Sequence, residues 1–504
     1  MTQESQPTPS FWKPSFTDAF FLILLFWLFL ADPGGWDRLL WDGDTALHTR
    51  VGDYILDNGQ VPKTDPFSFT LPGERWFAFQ WGTGVIFALL NRMWGLKGIV
   101  LLCGAIIAFY QVIVARDMVR RGTNGMIALL LVMIGCTASA IHYHARPHLF
   151  TLLFLACGNY LIARDREAHS WRVWLMLPMM ALWANLHSGF PIMVALIGIL
   201  AAGEFLHRNW DNTKRYGTLA VFSAAVTLIN PNGFGLYQHI SKFLNNKWAM
   251  NNISEYQSPI FRDEAMYNYM AILFVGLMVC AKHFAKKEWT ECGWILFLGM
   301  GSLVSARHVP LFIITVLPLI GVALTELWNE LTKDQPRKAT LGVLREIFAK
   351  ATRSMQPVSI WSPILFASII FSSSNPDRWP KDLSDKYFPR DVVRQYAPAL
   401  ASNRVFTTDQ WGDYLLWVNY PKQRNFMDGR SDFFQDKVGT DYVNISEGKP
   451  GWREALNRHR VNMVLVPPGT PLIELLEKEG TWSLLHRDKT SVLFSLTDAL
   501  KSGL

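Results

Sequence analysis

Up to about residue 373 the chain alternates between apolar runs and short polar interruptions, and beyond that point the alternation stops. The runs fall near 16–31, 98–115, 125–141, 148–163, 173–187, 189–206, 217–231, 267–281, 290–306, 309–325 and 358–373. A helix that crosses the hydrocarbon core needs about 20 mostly apolar residues. The pattern therefore predicts a polytopic α-helical membrane protein with about 11 transmembrane helices over residues 1–373, and a soluble domain over 374–504.

Basic residues punctuate the runs: Arg116, Arg120 and Arg121; Arg164, Arg166 and Arg172; Arg208, Lys214 and Arg215; Lys282, Lys286 and Lys287; and the loop from Lys333 to Arg353. Lys and Arg concentrate on the cytoplasmic side of membrane proteins, and the eleven runs place every cluster on one side. Phe77–Trp94, counted as a further span, would put Arg116–Arg121 on the wrong side, so it reads as a helix at the membrane surface or partly inserted. The N-terminus is then cytoplasmic. Loops 33–78, 142–148, 186–188, 232–266 and 307–308 face outward together with the C-terminal domain.

The C-terminal stretch alternates in type. Asp391–Ala399, Gly412–Val418, Trp452–Arg460 and Leu472–Lys478 read as helices; Val405–Thr407, a segment starting at Phe426, Val461–Val466, Ser483–His486 and Val492–Ser495 read as strands. That alternation predicts a small α/β domain.

Composition sharpens the picture. Charged residues make up 18% of the chain, against about 25% in soluble proteins. The formal charge of +7 is spread over the loop clusters and forms no basic face with interleaved aromatics, which argues against a nucleic-acid partner. Cys103, Cys136, Cys157, Cys280 and Cys292 all lie in or beside apolar runs, without metal-ligand spacing. The first apolar run is followed by no small-residue cleavage site and reads as a retained helix. With no cysteine in the outward domain, the expected location is a bacterial inner (plasma) membrane.

Candidate chemistry collects in the outward loops. Asp42 and Asp44 follow the first helix, and His48 lies four residues after Asp44, on the same face of any helix formed there. A carboxylate shielded from bulk water can act as a general base; equally, Asp42 can cap a helix starting near Thr45 with Asp44 in its first turn. Asp65, within Asp65-Pro66-Phe67-Ser68, reads as a turn residue. His142, His144, Arg146 and His148 crowd between two runs, where a charged group belongs at the interface or in a polar cavity. The Arg146 fork matches phosphate oxygens, although interfacial snorkelling would also explain it. Asn185 and His187 sit at a helix break, Asn232 in a turn, and Arg307-His308 between two more runs. Asp409–Tyr414 and Asp428–Asp432 occupy loop-like positions in the C-terminal domain.

With these features the chain resembles the GT-C superfamily of membrane glycosyltransferases, which includes protein O-mannosyltransferases, lipid A aminoarabinose transferases and oligosaccharyltransferase catalytic subunits. The resemblance rests on Asp42, Asp44 and His48 after the first helix, on the continuation Gly59, Pro62, Asp65-Pro66, Gly73 and Trp76, and on a many-helix body with an outward C-terminal domain. It implies an inverting transfer of a sugar from a polyprenyl-phosphate-linked donor, drawn from the lipid phase, to a hydroxyl on a glycan, lipid or protein acceptor. Asp44 would be the base, with Asp42 as alternate and His48 beside it. Arg146 and Arg307, assisted by His144 or His308, would hold the departing phosphate, with Asn185, His187 and Asn232 as polar cavity groups. The lipid-linked sugar is a co-substrate, and no cofactor or metal is implied for monophosphate donors; the oligosaccharyltransferase branch uses a metal, for which this sequence lacks the full acidic set. Two other classes remain: a transporter or channel, which would carry ionisable residues within its spans, and a structural subunit of an envelope assembly, in which Asp42 and Asp44 would tolerate replacement.

Overall fold

The computed structural model describes residues 15–29, 36–336, 338–355, 359–372 and 379–497. The expected domain boundary at 373/374 and the N-terminal tail lie outside them. The helices of the body run in order α1 (Phe16–Phe29), α2 (Asp44–Asn58), α3 (Trp81–Trp94), α4 (Leu96–Arg120), α5 (Gly125–Ser139), α6 (His148–Glu167), α7 (Met176–Leu186), α8 (Pro191–Leu206), α9 (Trp210–Val226), α10 (Gly235–Leu244), α11 (Lys247–Asn252), α12 (Tyr267–Ala285), α13 (Trp289–Val304), α14 (Val309–Thr332), α15 (Thr340–Met355) and α16 (Trp361–Ser372). The C-terminal part adds α17 (Arg390–Gln395), α18 (Ala397–Ser402), β1 (Val405–Thr407), α19 (Asp409–Asn419), α20 (Ser431–Ser446), α21 (Trp452–Arg458), β2 (Met463–Val466), α22 (Leu472–Glu479), β3 (Trp482–Arg487) and β4 (Val492–Leu496).

The body is a membrane-embedded helical assembly. Among the described residues, the helical stretches Leu96–Arg120, Gly125–His142, Glu264–Ala285 and Ala306–Thr332 are long and apolar enough to cross a bilayer, and Thr17–Leu28, Pro191–Leu206 and Trp289–Val304 are shorter apolar helices. Helix α14 is central, buried from Val309 to Gly321 and packed on α4, α5, α12 and α13. Local chemistry sets the ends. Asn124 accepts a hydrogen bond from the Met126 amide at 3.0 Å at the start of α5, and proline opens α8 and α14, where its missing N–H costs nothing.

Helix α3 is only 14 residues long, too short to span, and instead packs along α2. Gly52 and Gly84 bring the two backbones together, so that a Cβ on Gly52 would collide with the Gly84 carbonyl. Arg92 ties the pair further, reaching Asp53 at 2.8 Å and Asp57 at 2.6 Å. Replacing Gly52 by Ala is expected to cost about 1–3 kcal/mol by overpacking, read as a lowered unfolding temperature of the purified protein.

The C-terminal sheet has the order β1-β2-β4-β3. β1 and β2 are parallel, with Val405 opposite Met463, while β4 runs antiparallel to both β2 and β3. All strands expected from the sequence form except the one starting at Phe426. There Asn425 makes only an isolated bridge to Ser68, and Asp428 turns the chain by accepting the Arg430 amide at 3.1 Å, so that helix α20 follows.

The segment between α1 and α3 is not a peripheral excursion. Leu47, Val51, Ile55, Phe67 and Trp76 share one hydrophobic cluster with Phe406, Phe426, Val464 and Phe494 of the C-terminal part. Asp65 has the structural role its sequence suggests: it accepts the Phe67 and Ser68 amides at 3.1 and 3.0 Å and then pairs with Arg430 at 2.7 Å. Arg430 also binds Asp428 at 2.6 Å and lies 4.5 Å above the Trp76 ring.

Candidate active site

Asp44 is the first residue of α2, and its amide donates to Asp42 Oδ1 at 2.8 Å. The N-cap position itself is Gly43, without a side-chain cap, so Asp42 does not cap α2 as its sequence position suggests but turns the chain into the helix from just before it, behind Asp44. The segment after α5 is fastened to this turn, since the Ala145 amide donates to the Leu39 carbonyl at 2.7 Å and Thr45 Oγ1 donates to the Ala145 carbonyl at 2.9 Å. These bonds bring Arg146 onto the Asp pair: Nη1 reaches Asp42 Oδ2 at 3.0 Å and Nη2 reaches Asp44 Oδ2 at 2.5 Å. Nη1 also contacts Glu255 Oε1, from the loop between α11 and α12.

The C-terminal part closes the other side. The Gly43 amide donates to Gln410 Oε1 at 2.6 Å. Asp413, on α19, accepts the Gly429 amide at 2.9 Å, and its second oxygen finds no hydrogen-bond partner among the described residues. That oxygen and Asp44 Oδ1 both face the Cα of Gly429, where any side chain would intrude.

Electrostatics follow from this enclosure. Burial pushes the Asp44 carboxyl up to about 7, Arg146 working against the rise while Asp42 and Glu255 add to it. Burial, then the Asp44 and Asp428 charges, hold Asp413 well above the usual carboxylate range. His48 is pushed down to about 3 by burial and by Arg146, so its imidazole is neutral at physiological pH. Glu255 goes the other way: burial would raise it, but Arg146 and Arg307 prevail and hold it below its ordinary range.

Asp44, His48, Arg146, His187, Arg307 and His308 all line one cavity of about 280 Å³, together with Tyr256, His239 and Arg430 to Asp432. The expected residues thus converge in part. Asp42 stands behind Asp44, outside the lining. His144 is turned away, its Nε2 on the Ile141 carbonyl at 3.2 Å. Asn185 is spent on structure, accepting from Trp81 Nε1 at 2.9 Å and donating to the Ala181 and Ile229 carbonyls, both at 2.8 Å. Asn232 lies in the turn before α10, its amide donating to Asn230 Oδ1 at 2.8 Å. Asn185 and Asn232 are therefore not cavity groups.

Arg307 presents itself differently from Arg146. It hydrogen-bonds the Tyr256 hydroxyl, stacks 5.0 Å above the Tyr256 ring, and lies 4.0 Å from Glu255 Oε2. Glu255 and Tyr256 were not singled out in the sequence, each being a single polar residue within a segment that reads as a loop; Asp413 stood within the candidate stretch Asp409–Tyr414, without a role of its own.

The acidic set does not fit a metal. The inward oxygens of Asp42, Asp44 and Glu255 converge on one guanidinium, and among the described residues no three His, Cys, Asp or Glu side chains are disposed to hold an ion.

No protein-family model matches the sequence, and no curated protein matches it. Solved structures share the fold. The Archaeoglobus fulgidus oligosaccharyltransferase in the apo form superposes with a TM-score of 0.56 at 11% identity, covering 90% of this chain and 69% of that one. The same organism's enzyme in complex with an inhibitory peptide and a dolichol-phosphate gives 0.53 at 11% identity, with the same coverage of 90% and 69%. ArnT from Cupriavidus metallidurans is a lesser likeness, with a TM-score of 0.49 at 12% identity over 95% of this chain and 97% of that one. The GT-C fold expected from the sequence is the fold the chain has.

Proposed function

We propose that this chain is a membrane glycosyltransferase that moves a sugar from a polyprenyl-phosphate-linked donor to an acceptor hydroxyl on the extracytoplasmic side of a bacterial inner membrane. One observation carries the reading: a buried carboxylate, Asp44, and a cation suited to phosphate, Arg307, face one cavity, in a chain with the GT-C fold. The neighbour structure with a bound dolichol-phosphate supports the donor class.

In this reading the acceptor hydroxyl approaches Asp44, which takes its proton as the oxygen attacks the anomeric carbon. The bond from that carbon to the phosphate oxygen breaks, the configuration inverts, and polyprenyl phosphate leaves with the bonding electrons. Arg307 stabilises the charge that develops on the leaving oxygen. Arg146 is already engaged by three carboxylates, so its main work is to hold Asp42 and Asp44 in place. The neutral His48 is a hydrogen-bonding group beside the base, not a cation. No metal enters the reaction.

The test is binding of polyprenyl monophosphate to the full chain in lipid nanodiscs. Losing a charge-assisted hydrogen bond costs about 1.5–3 kcal/mol, so Arg307→Ala is expected to weaken binding by about tenfold to a hundredfold. Equal binding by the variant and the parent chain would remove the donor site from this cavity.

A further inference from the structure

The two arginines of the cavity do not carry a net positive charge between them. Arg146 and Arg307 are set against Asp42, Asp44 and Glu255, so carboxylates outnumber guanidinia in their immediate surroundings. With all three carboxylates ionised, an anionic headgroup brought to this arrangement meets a net negative site unless one of them gives way. Asp42 and Asp44 are fixed: one accepts the amide of the other at the start of α2, and their side chains are 15% and 11% exposed.

Glu255 is different. Its backbone is held, with Ser305 Oγ donating to its carbonyl at 2.9 Å and the Ala306 amide donating to Gln257 at 2.9 Å. Its side chain is 24% exposed, which leaves a route to water. Of the three carboxylates, it alone touches Arg146 and also approaches Arg307, with one oxygen toward each. A phosphate that engages both guanidinia makes the same two contacts.

Resting on the reading of this cavity as the donor site, we infer that Glu255 is an internal competitor of the donor phosphate: its carboxylate, outside the cavity lining, bridges the two arginines that form part of that lining, swings outward when the phosphate arrives, and returns to help expel polyprenyl phosphate after transfer. The residue sets a threshold for specificity. A headgroup gains from both arginines only if it is a stronger anionic partner than a carboxylate, so phosphate-linked lipids are admitted and neutral glycolipids are not.

The experiment compares binding of polyprenyl monophosphate, with neutral polyprenol as control, to the parent chain, Glu255→Gln, Glu255→Ala and Arg307→Ala, each as full chain in nanodiscs. Both Glu255 variants are expected to bind the phosphate about tenfold more tightly than the parent, with polyprenol unchanged. Slower product release should also make polyprenyl phosphate a stronger inhibitor of both. Weaker or equal binding by both Glu255 variants, with Arg307→Ala impaired, would overturn the inference: Glu255 would then be a clamp that holds the arginines. Unchanged binding in Arg307→Ala would instead defeat the donor-site reading itself. Glu255→Ala serves if the glutamine variant does not yield monodisperse protein.

Discussion

Asp44→Asn is expected to reduce sugar transfer by about a hundredfold to ten-thousandfold, the range that a positioned general base contributes. The parent chain should show a matching pH dependence. A base works only when ionised, and the Asp44 carboxyl is pushed up to about 7. The rate with saturating acceptor should therefore fall tenfold per unit as pH drops below about 7 and level off above it. The limb should vanish in Asp44→Asn along with most of the rate. Initial rates across the neutral range, for the parent and for Asp44→Asn and Asp42→Asn separately, decide the matter. Normal turnover in Asp44→Asn, or a flat profile in the parent chain, would assign the base elsewhere. Asp42→Asn should be milder, since Asp42 acts through the Asp44 amide and Arg146 and does not line the cavity.

The second large effect is expected at Arg430. Its side chain is 4% exposed and those of Asp65 and Asp428 are 0% exposed, within a wall of Phe67, Trp76, Phe433 and Phe434. Arg430→Ala would strand two carboxylates in that wall. Breaking a buried pair by removing one partner costs about 3–5 kcal/mol, enough to release the 59–78 segment from the C-terminal part. Limited proteolysis should cut that segment in the variant and spare it in the parent, and the unfolding midpoint should fall. Arg430→Lys should not restore stability, because an ammonium cannot fork to both carboxylates while stacking on the rings. A change below about 1 kcal/mol would mean that the apolar cluster alone docks the loop.

The sequence made the helical body legible because membrane spans are long apolar runs whose periodicity hardly matters. It was equally clear for strands such as Val405–Thr407, reproduced in full as β1, where β-branched and aromatic residues follow a turn. It missed α20 because the segment from Phe426 read as a strand running into a loop at Asp428–Asp432; in the fold Asp428 turns the chain at the Arg430 amide, and the Asp65 carboxylate far upstream holds the Arg430 side chain. The site shows the same division. Asp42, Asp44 and His48 stand together in the chain, so local spacing revealed their shared face. The partners that set their chemistry do not. Arg146, Glu255 and Asp413 arrive from distant segments, and no local pattern marks a loop glutamate as the counter-ion of two arginines. For the same reason Arg146 read as a free phosphate ligand, whereas the fold surrounds it with three carboxylates. Asn185 and Asn232 were drawn in by their position at helix ends, and those ends consume them.

The shared cluster of the first loop and the C-terminal part has a consequence for biogenesis. Leu47, Val51 and Phe67 are synthesised early, but their partners Phe406, Val464 and Phe494 come some hundreds of residues later. Contacts so far apart in sequence form late. While the spans insert one after another, the early loop therefore waits outside the bilayer with its apolar side chains uncovered, an aggregation hazard of the kind that attends large multi-part proteins. Its ordering is deferred until the last strand, β4, is in place. Asp44 on α2 and the Gly429 that it faces are then brought together in a single late event, so a chain truncated before β4 should insert normally and yet never assemble a complete cavity.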